Sequence, residues 1–168
     1  MSTDTTHAPD TRTAAEIASR LDIESTAAGF YRAVVHLDRA ATKELDQAGL
    51  DPRLRELVRI RASQLNGCAY CIDMHTRAAR KAGESEQRLY ALAAWRESPL
   101  FTPRERAALQ LTDAVTKIAD DGVPDTVYQH AADVFSMGEL ANLILAITAI
   151  NAWNRIAVSS GMVYTEPS

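Results

Sequence analysis

The stretch Cys68-Ala69-Tyr70-Cys71-Ile72-Asp73-Met74-His75 holds both cysteines of the chain and one of its four histidines. Offsets of three, four and seven residues put Cys68, Cys71 and His75 on one face of a helix. A thiol reacts as its thiolate, and three features here favour that form: the free N–H groups and dipole of a helix start, the neighbouring sulfur, and an imidazole one turn away. Cys68 lies nearest the helix start, whereas Cys71 has His75 four residues on and is better placed for base-assisted deprotonation. The same residue types admit two other readings. One is a pair of plain core cysteines. The other is a zinc site, which needs four ligands, while the remaining histidines, His7, His36 and His130, stand at no paired spacing.

Upstream, Glu56 sits between Arg55 and Leu57, with Arg59 and Arg61 beyond. A glutamate in that setting is ordinarily solvated. If it faces the cysteine helix, it becomes a carboxylate that orients His75 or accepts a proton from a thiol, the third group of an activated nucleophile. Tyr70, between the cysteines, is either a packing aromatic or a pocket-lining hydroxyl able to pass a proton.

The elements that must position these groups read as helices throughout. Residues 14–47 carry apolar side chains at helical spacing, among them Phe30, Val34, Leu37, Ala41 and Leu45, with Gly49 as the end and Gly29 as a point of interruption. Asp51-Pro52 supplies an N-cap and a proline in the first turn, opening a helix through Leu54, Leu57, Val58, Arg61 and Leu65 that Asn66-Gly67 stops. The next helix begins at Cys68 and runs to Ala82, with Gly83 as its left-handed end. Ser85 caps a further helix to about Glu97. Thr102-Pro103-Arg104-Glu105 is a capping box for a helix through Leu109, Leu111, Val115 and Ile118, ended by Asp121-Gly122, and Pro124 starts a short helix to Val134. Ser136-Met137-Gly138-Glu139 is a second capping box, ahead of a final helix to about Ser160. No strand-like alternation and no repeat is present. The pattern predicts an all-α, compact single-domain bundle of about seven helices, with a flexible tail over residues 1–13, a domain over 14–168 and a redox core at about 50–118.

Composition narrows the function classes. A chain of 168 residues forms one domain with a core large enough to need neither disulfide staples nor a structural metal, which frees the cysteines for chemistry. Apolar residues at 46% and charged ones at 24% exclude a disordered chain and a disulfide-dense secreted domain. A net charge of -4 argues against a nucleic-acid partner. The greasiest segment, residues 140–150, is broken by Asn142 and Thr148 and closed by Asn151, so it is expected as a buried helix and not a membrane span. With no leader pattern, the expected compartment is the cytoplasm, where a close cysteine pair is redox-active or metal-binding before it is structural. No phosphate loop, haem or flavin signature occurs, and no bound organic cofactor is expected.

Glu56, the lead-in Ser63-Gln64-Leu65-Asn66-Gly67-Cys68, then Cys71 and His75 resemble the carboxymuconolactone decarboxylase-like superfamily, in particular its AhpD-like alkylhydroperoxidase branch. Trp95-Arg96-Glu97-Ser98-Pro99, Phe101-Thr102-Pro103-Arg104-Glu105-Arg106 and Ile150-Asn151-Ala152-Trp153-Asn154-Arg155 extend the similarity. The resemblance implies an all-helical fold and a thiol peroxidase cycle on hydrogen peroxide or organic hydroperoxides. In that cycle Cys71 attacks the O–O bond and becomes a sulfenic acid, Cys68 resolves it to a disulfide, and His75 with Glu56 relays the protons. It further implies an external dithiol reductant of the dihydrolipoamide or thioredoxin type, and a homo-oligomer, trimer or hexamer, in keeping with the apolar final helix. Members that act as lactone decarboxylases lack the cysteine pair. This chain departs from the peroxidase pattern at Tyr70, where those enzymes carry a histidine. The competing functions are a general disulfide oxidoreductase and a non-enzymatic redox-sensing or zinc-stabilised interaction protein.

Overall fold

In the computed structural model, which describes residues 20–164, nine helices follow one another. They are α1 (Ile23–Thr26), α2 (Ala28–Gln47), α3 (Pro52–Asn66), α4 (Ala69–Lys81), α5 (Glu86–Ala91), α6 (Pro103–Thr116), α7 (Ile118–Asp121), α8 (Asp125–Val134) and α9 (Met137–Ser160), with a 3₁₀ turn, Leu92–Ala94, after α5. Without the two four-residue pieces α1 and α7, seven remain, the expected number. Free N–H groups at a helix start need an acceptor. The side chains of Asp22, Asp51, Cys68 and Ser85 supply it to α1, α3, α4 and α5. Thr102 with Glu105 and Ser136 with Glu139 form the two reciprocal capping boxes that open α6 and α9.

Three boundaries differ from the sequence expectation. The first break falls at Ala27 and leaves Gly29 inside α2, because Asp22 captures the N–H of Ser25 and closes a separate first turn. The helix opened by Thr102 ends at Thr116, and residues 118–121 form a turn of their own before Gly122. The stretch after Leu92 tightens into a 3₁₀ turn instead of continuing as α-helix to Glu97. The expected tail over 1–13 and the helix start at 14 lie outside the described residues.

α3 is the central element, with α4, α6 and α9 packed around it, and α2 lies along α9. One apolar cluster joins Leu54 and Val58 of α3 to Leu111, Leu143 and Ile147, and a second joins Leu57 and Ile60 to Leu92, Trp95, Phe101 and Leu109. Each fully buried leucine here contributes about 1.5–3 kcal/mol. The third cluster, Ala62, Cys68, Cys71, Ile150 and Ala157, holds both sulfurs. α9 is long and apolar enough to cross a membrane by length and composition, but half of its most apolar stretch is buried against the rest of the bundle.

The apolar stripe expected on α2 is divided. Val34, Ala41 and Leu45 are buried, while Phe30 is 69% and Leu37 47% exposed. At 100° per residue the five positions span an arc of roughly 80°, wider than the neighbouring helices cover.

Candidate active site

The site is built on the turn between α3 and α4. α3 ends at Gly67, whose φ of 66° is the left-handed region that only glycine enters without strain. The chain therefore reverses in one residue, and Cys68 becomes the N-cap of α4, its Sγ accepting the N–H of Cys71 at 3.3 Å. Cys68 and Cys71 are each 2% exposed and are joined as a disulfide, with a Cα–Cα separation of 5.4 Å. His75 follows one turn along the same face and is also buried.

Glu56 reaches across from α3 to meet it. Its Oε2 lies 2.8 Å from Nδ1 of His75, and the residue is only 3% exposed. The solvated reading of Glu56 is thereby corrected: the α3–α4 packing turns it inward onto the histidine. Its other oxygen, Oε1, accepts from Arg55 Nε and Arg59 Nη1, both at 3.2 Å. Burial pushes the Glu56 carboxyl up, yet the hydrogen bond and charge of His75, with Arg59 and Arg55, outweigh it and hold the group below its usual 4.5. A carboxylate accepts only, so the hydrogen between the two sits on Nδ1, and whenever the ring gives up its second proton the lone pair is on Nε2.

Cys71 and His75 line a cleft of about 200 Å³ and Cys68 does not. Its walls are Tyr31 and Val35 of α2, Tyr70 and Met74 of α4, and Trp153 and Ala157 of α9, with Asp38 and Arg39 contributing charge. The rings of Tyr31 and Trp153 meet edge to face at 5.4 Å. Burial, then Glu24 and Tyr70, push the Tyr31 hydroxyl up, so it stays a neutral donor. Tyr70 also packs on the cluster that holds the sulfurs.

A buried amide network fixes the turn from behind. Asn66 Nδ2 donates to the side-chain oxygens of Asn151 and Asn154, each at 2.9 Å. Asn154 Nδ2 donates in turn to Ser63 Oγ at 2.9 Å, and the carbonyl of Ser63 accepts the N–H of Cys68 at 3.0 Å. Asn151, read from composition as the close of a greasy run, is therefore an anchor for the α3 terminus. Trp153 and Asn151 belong to the stretch that carried the family resemblance without a role assigned to either, and Arg59, Asp38 and Tyr31 were given no role in the site. Arg59 had a signal in its i,i+3 spacing from Glu56; Asp38 and Tyr31 come from α2 and carry none. Among the described residues, no group of three or more His, Cys, Asp and Glu side chains is placed to hold a metal ion.

A helical bundle carrying a Cys-x-x-Cys pair beside a Glu–His couple defines an AhpD-like protein. The chain belongs to the carboxymuconolactone decarboxylase family, whose pattern it matches over residues 28–114, more than half its length and inclusive of all four of these side chains. It is 45% identical over 119 residues to the uncharacterized protein YdfG of Bacillus subtilis, covering 71% of this chain and 81% of that one. It is 34% identical over 104 residues to the uncharacterized protein YnjA of Escherichia coli, covering 60% and 57%. A crystal structure from Agrobacterium tumefaciens, of a protein of unknown function for which an AhpD-type antioxidant defence role has been suggested, superposes with a TM-score of 0.81 at 39% identity, over 89% of this chain and all of that one. An uncharacterized peroxidase-related protein from a Silicibacter species shares the fold, with a TM-score of 0.64 at 21% identity over 76% and 70% of the two chains.

Proposed function

We propose that the protein is a thiol-dependent peroxidase of the alkylhydroperoxidase type, acting on organic hydroperoxides or hydrogen peroxide. The observation that carries this reading is that Cys71 and His75 line one cleft while Glu56 holds the far side of the His75 ring and Cys68 stands within bonding reach behind. In the reduced protein Nε2 of His75 takes the Cys71 proton, and the thiolate attacks the peroxide O–O bond. Cys71 becomes a sulfenic acid, and the alkoxide leaves with the proton returned by His75. The Cys68 thiol then displaces hydroxide, which leaves as water, and the disulfide forms. An external dithiol reopens it, taking up the two oxidising equivalents as its own disulfide. The apolar walls of the cleft suit the organic group of a hydroperoxide, and they admit a small dithiol to Cys71 more readily than to Cys68.

We place this cycle in the cytoplasm, in an assembly of several copies. The exposed Phe30 and Leu37 of α2 and Leu145 of α9 support association.

Dithiol-dependent peroxide consumption tests the reading, with dihydrolipoamide and a thioredoxin system supplied in parallel. Wild type turns over and Cys71→Ser does not. Cys68→Ser completes one round and leaves a sulfenic acid on Cys71 that a dimedone reagent traps. Reduction of disulfide substrates without any peroxide consumption would instead assign a general disulfide oxidoreductase.

A further inference from the structure

We propose that Arg59 is a positioning residue for the thiol chemistry, holding the Glu56 carboxylate in the one orientation that addresses His75. Arg59 is 6% exposed and lies between two carboxylates: Nη1 donates to Glu56 Oε1 at 3.2 Å, and Nη2 to Asp38 Oδ1 at 3.2 Å and Thr42 Oγ1 at 2.6 Å. Its Nε is buried without a partner. A buried guanidinium with an unsatisfied donor is a poor choice for stability alone, since an apolar side chain of similar volume serves packing better. The arrangement makes sense through what it does to Glu56.

Arginine does not exchange its proton at any relevant pH, so Arg59 is neither acid nor base and can only orient and hold charge. With Arg55 it occupies Oε1 and leaves Oε2 for His75. Take the guanidinium away, and the buried carboxyl is freer to rotate and easier to protonate. A protonated Glu56 donates to Nδ1 instead of accepting from it. The ring hydrogen then sits on Nε2, and the base that faces the cleft is lost. Arg59 thus protects the tautomer of His75 through Glu56, while its other end reaches Asp38 in the cleft wall.

The charged groups around Glu56 are few. Arg55 and Arg59 come from its own helix, His75 from α4, and Asp38 and Asp46 from α2, bound to Arg59 and Arg55 respectively. On α6, Asp113 is taken by Arg61 and Arg96, and on α9 Arg155 turns to Asn151. No other cation among the described residues pairs with Glu56.

The inference rests on Cys71 as the reacting thiol but not on peroxide as its substrate, and the test uses thiol reactivity alone. Cys71 is titrated with 4,4′-dithiodipyridine from pH 4 to 9 in the reduced Cys68→Ser protein. In Arg59→Met the acid-side limb of the rate profile moves up by about one pH unit, and the rate at pH 7 falls about tenfold. Arg59→Lys, which restores the charge without the fork, recovers part of the shift. Placed in a Glu56→Gln background, Arg59→Met adds nothing, because its effect passes through the carboxylate. A folded Arg59→Met with the wild-type limb overturns the proposal, and so does an equal shift in the Glu56→Gln background. If Arg59→Met does not fold, Thr42→Val and Asp38→Asn, which release the outer end of the guanidinium, must give a smaller shift in the same direction; an unmoved limb in both overturns it. A wild-type protein that consumes no peroxide, with these shifts in thiol reactivity present, counts against the peroxidase and leaves the role of Arg59 standing.

Discussion

Glu56→Gln changes one atom of the side chain and is expected to reverse the histidine. Arg55 and Arg59 can only donate, and they face the same oxygen at 3.2 Å. A glutamine therefore turns its carbonyl to the arginines and its amide NH₂ to His75, 2.8 Å away in the parent geometry. Nδ1 must now accept, the ring hydrogen moves to Nε2, and the cleft side of the imidazole becomes a donor. Loss of a positioned base costs about 10²- to 10⁴-fold in rate. The wrong tautomer sits at the upper end of that range, as in the carboxylate-to-amide change in serine protease triads, at about 10⁴. The assay is the second-order rate of iodoacetamide alkylation of Cys71 at pH 7 in the reduced Cys68→Ser protein, followed by intact mass, with ¹⁵N shifts of the His75 ring reporting the tautomer. His75→Gln should lose a similar factor, and Tyr70→Phe should leave the rate unchanged if Tyr70 acts as packing. A Glu56→Gln protein that alkylates within twofold of its parent, with Nδ1 still protonated, would refute the reasoning.

The Glu56 carboxyl is held below 4.5 in the folded chain, so its contribution to stability is complete above about pH 4.5 and is lost as pH falls through the folded value. Glu56→Gln should accordingly lose less stability than wild type between pH 5 and pH 3 in urea titrations; an equal loss over that window contradicts the linkage. Asn154→Ala strips partners from Ser63 and Asn66 at a site 1% exposed and should cost about 1–3 kcal/mol in the same titrations. Paired Phe30→Glu and Leu37→Glu changes should lower the sedimentation mass without lowering helicity, and an unchanged mass would remove α2 from any interface between copies.

The sequence carried the local part of this structure and little of the lateral part. Capping boxes at Thr102 and Ser136, the Asp51-Pro52 start and the Gly67 reversal are governed by neighbours within four residues, and each appears where the spacing put it. The dithiol and His75 were equally local, on one helix face. Glu56 was not, because its inward turn depends on how α3 meets α4, and residue type alone made it a surface carboxylate. Phe30 and Leu37 had the right period on α2, but periodicity gives a direction and no width, so it could not say where cover by α9 would stop. Asn151 looked like the close of an apolar run and Asn154 was given no role, since polar groups in this core are explained by a partner 85 and 88 residues away.

Those last contacts bear on how the chain becomes competent as it is made. Glu56, Cys68, Cys71 and His75 emerge together and come from two adjoining helices, so the reactive groups exist early in synthesis. Trp153 and Ala157, which close the cleft, and Asn151 and Asn154, which grip the turn at Asn66, belong to α9 and arrive last. A nascent chain that ends before Asn151 carries thiols and relay but neither the finished wall nor the anchor. Its sulfurs are open to any oxidant or foreign thiol that meets them, and selectivity begins only when the final helix docks.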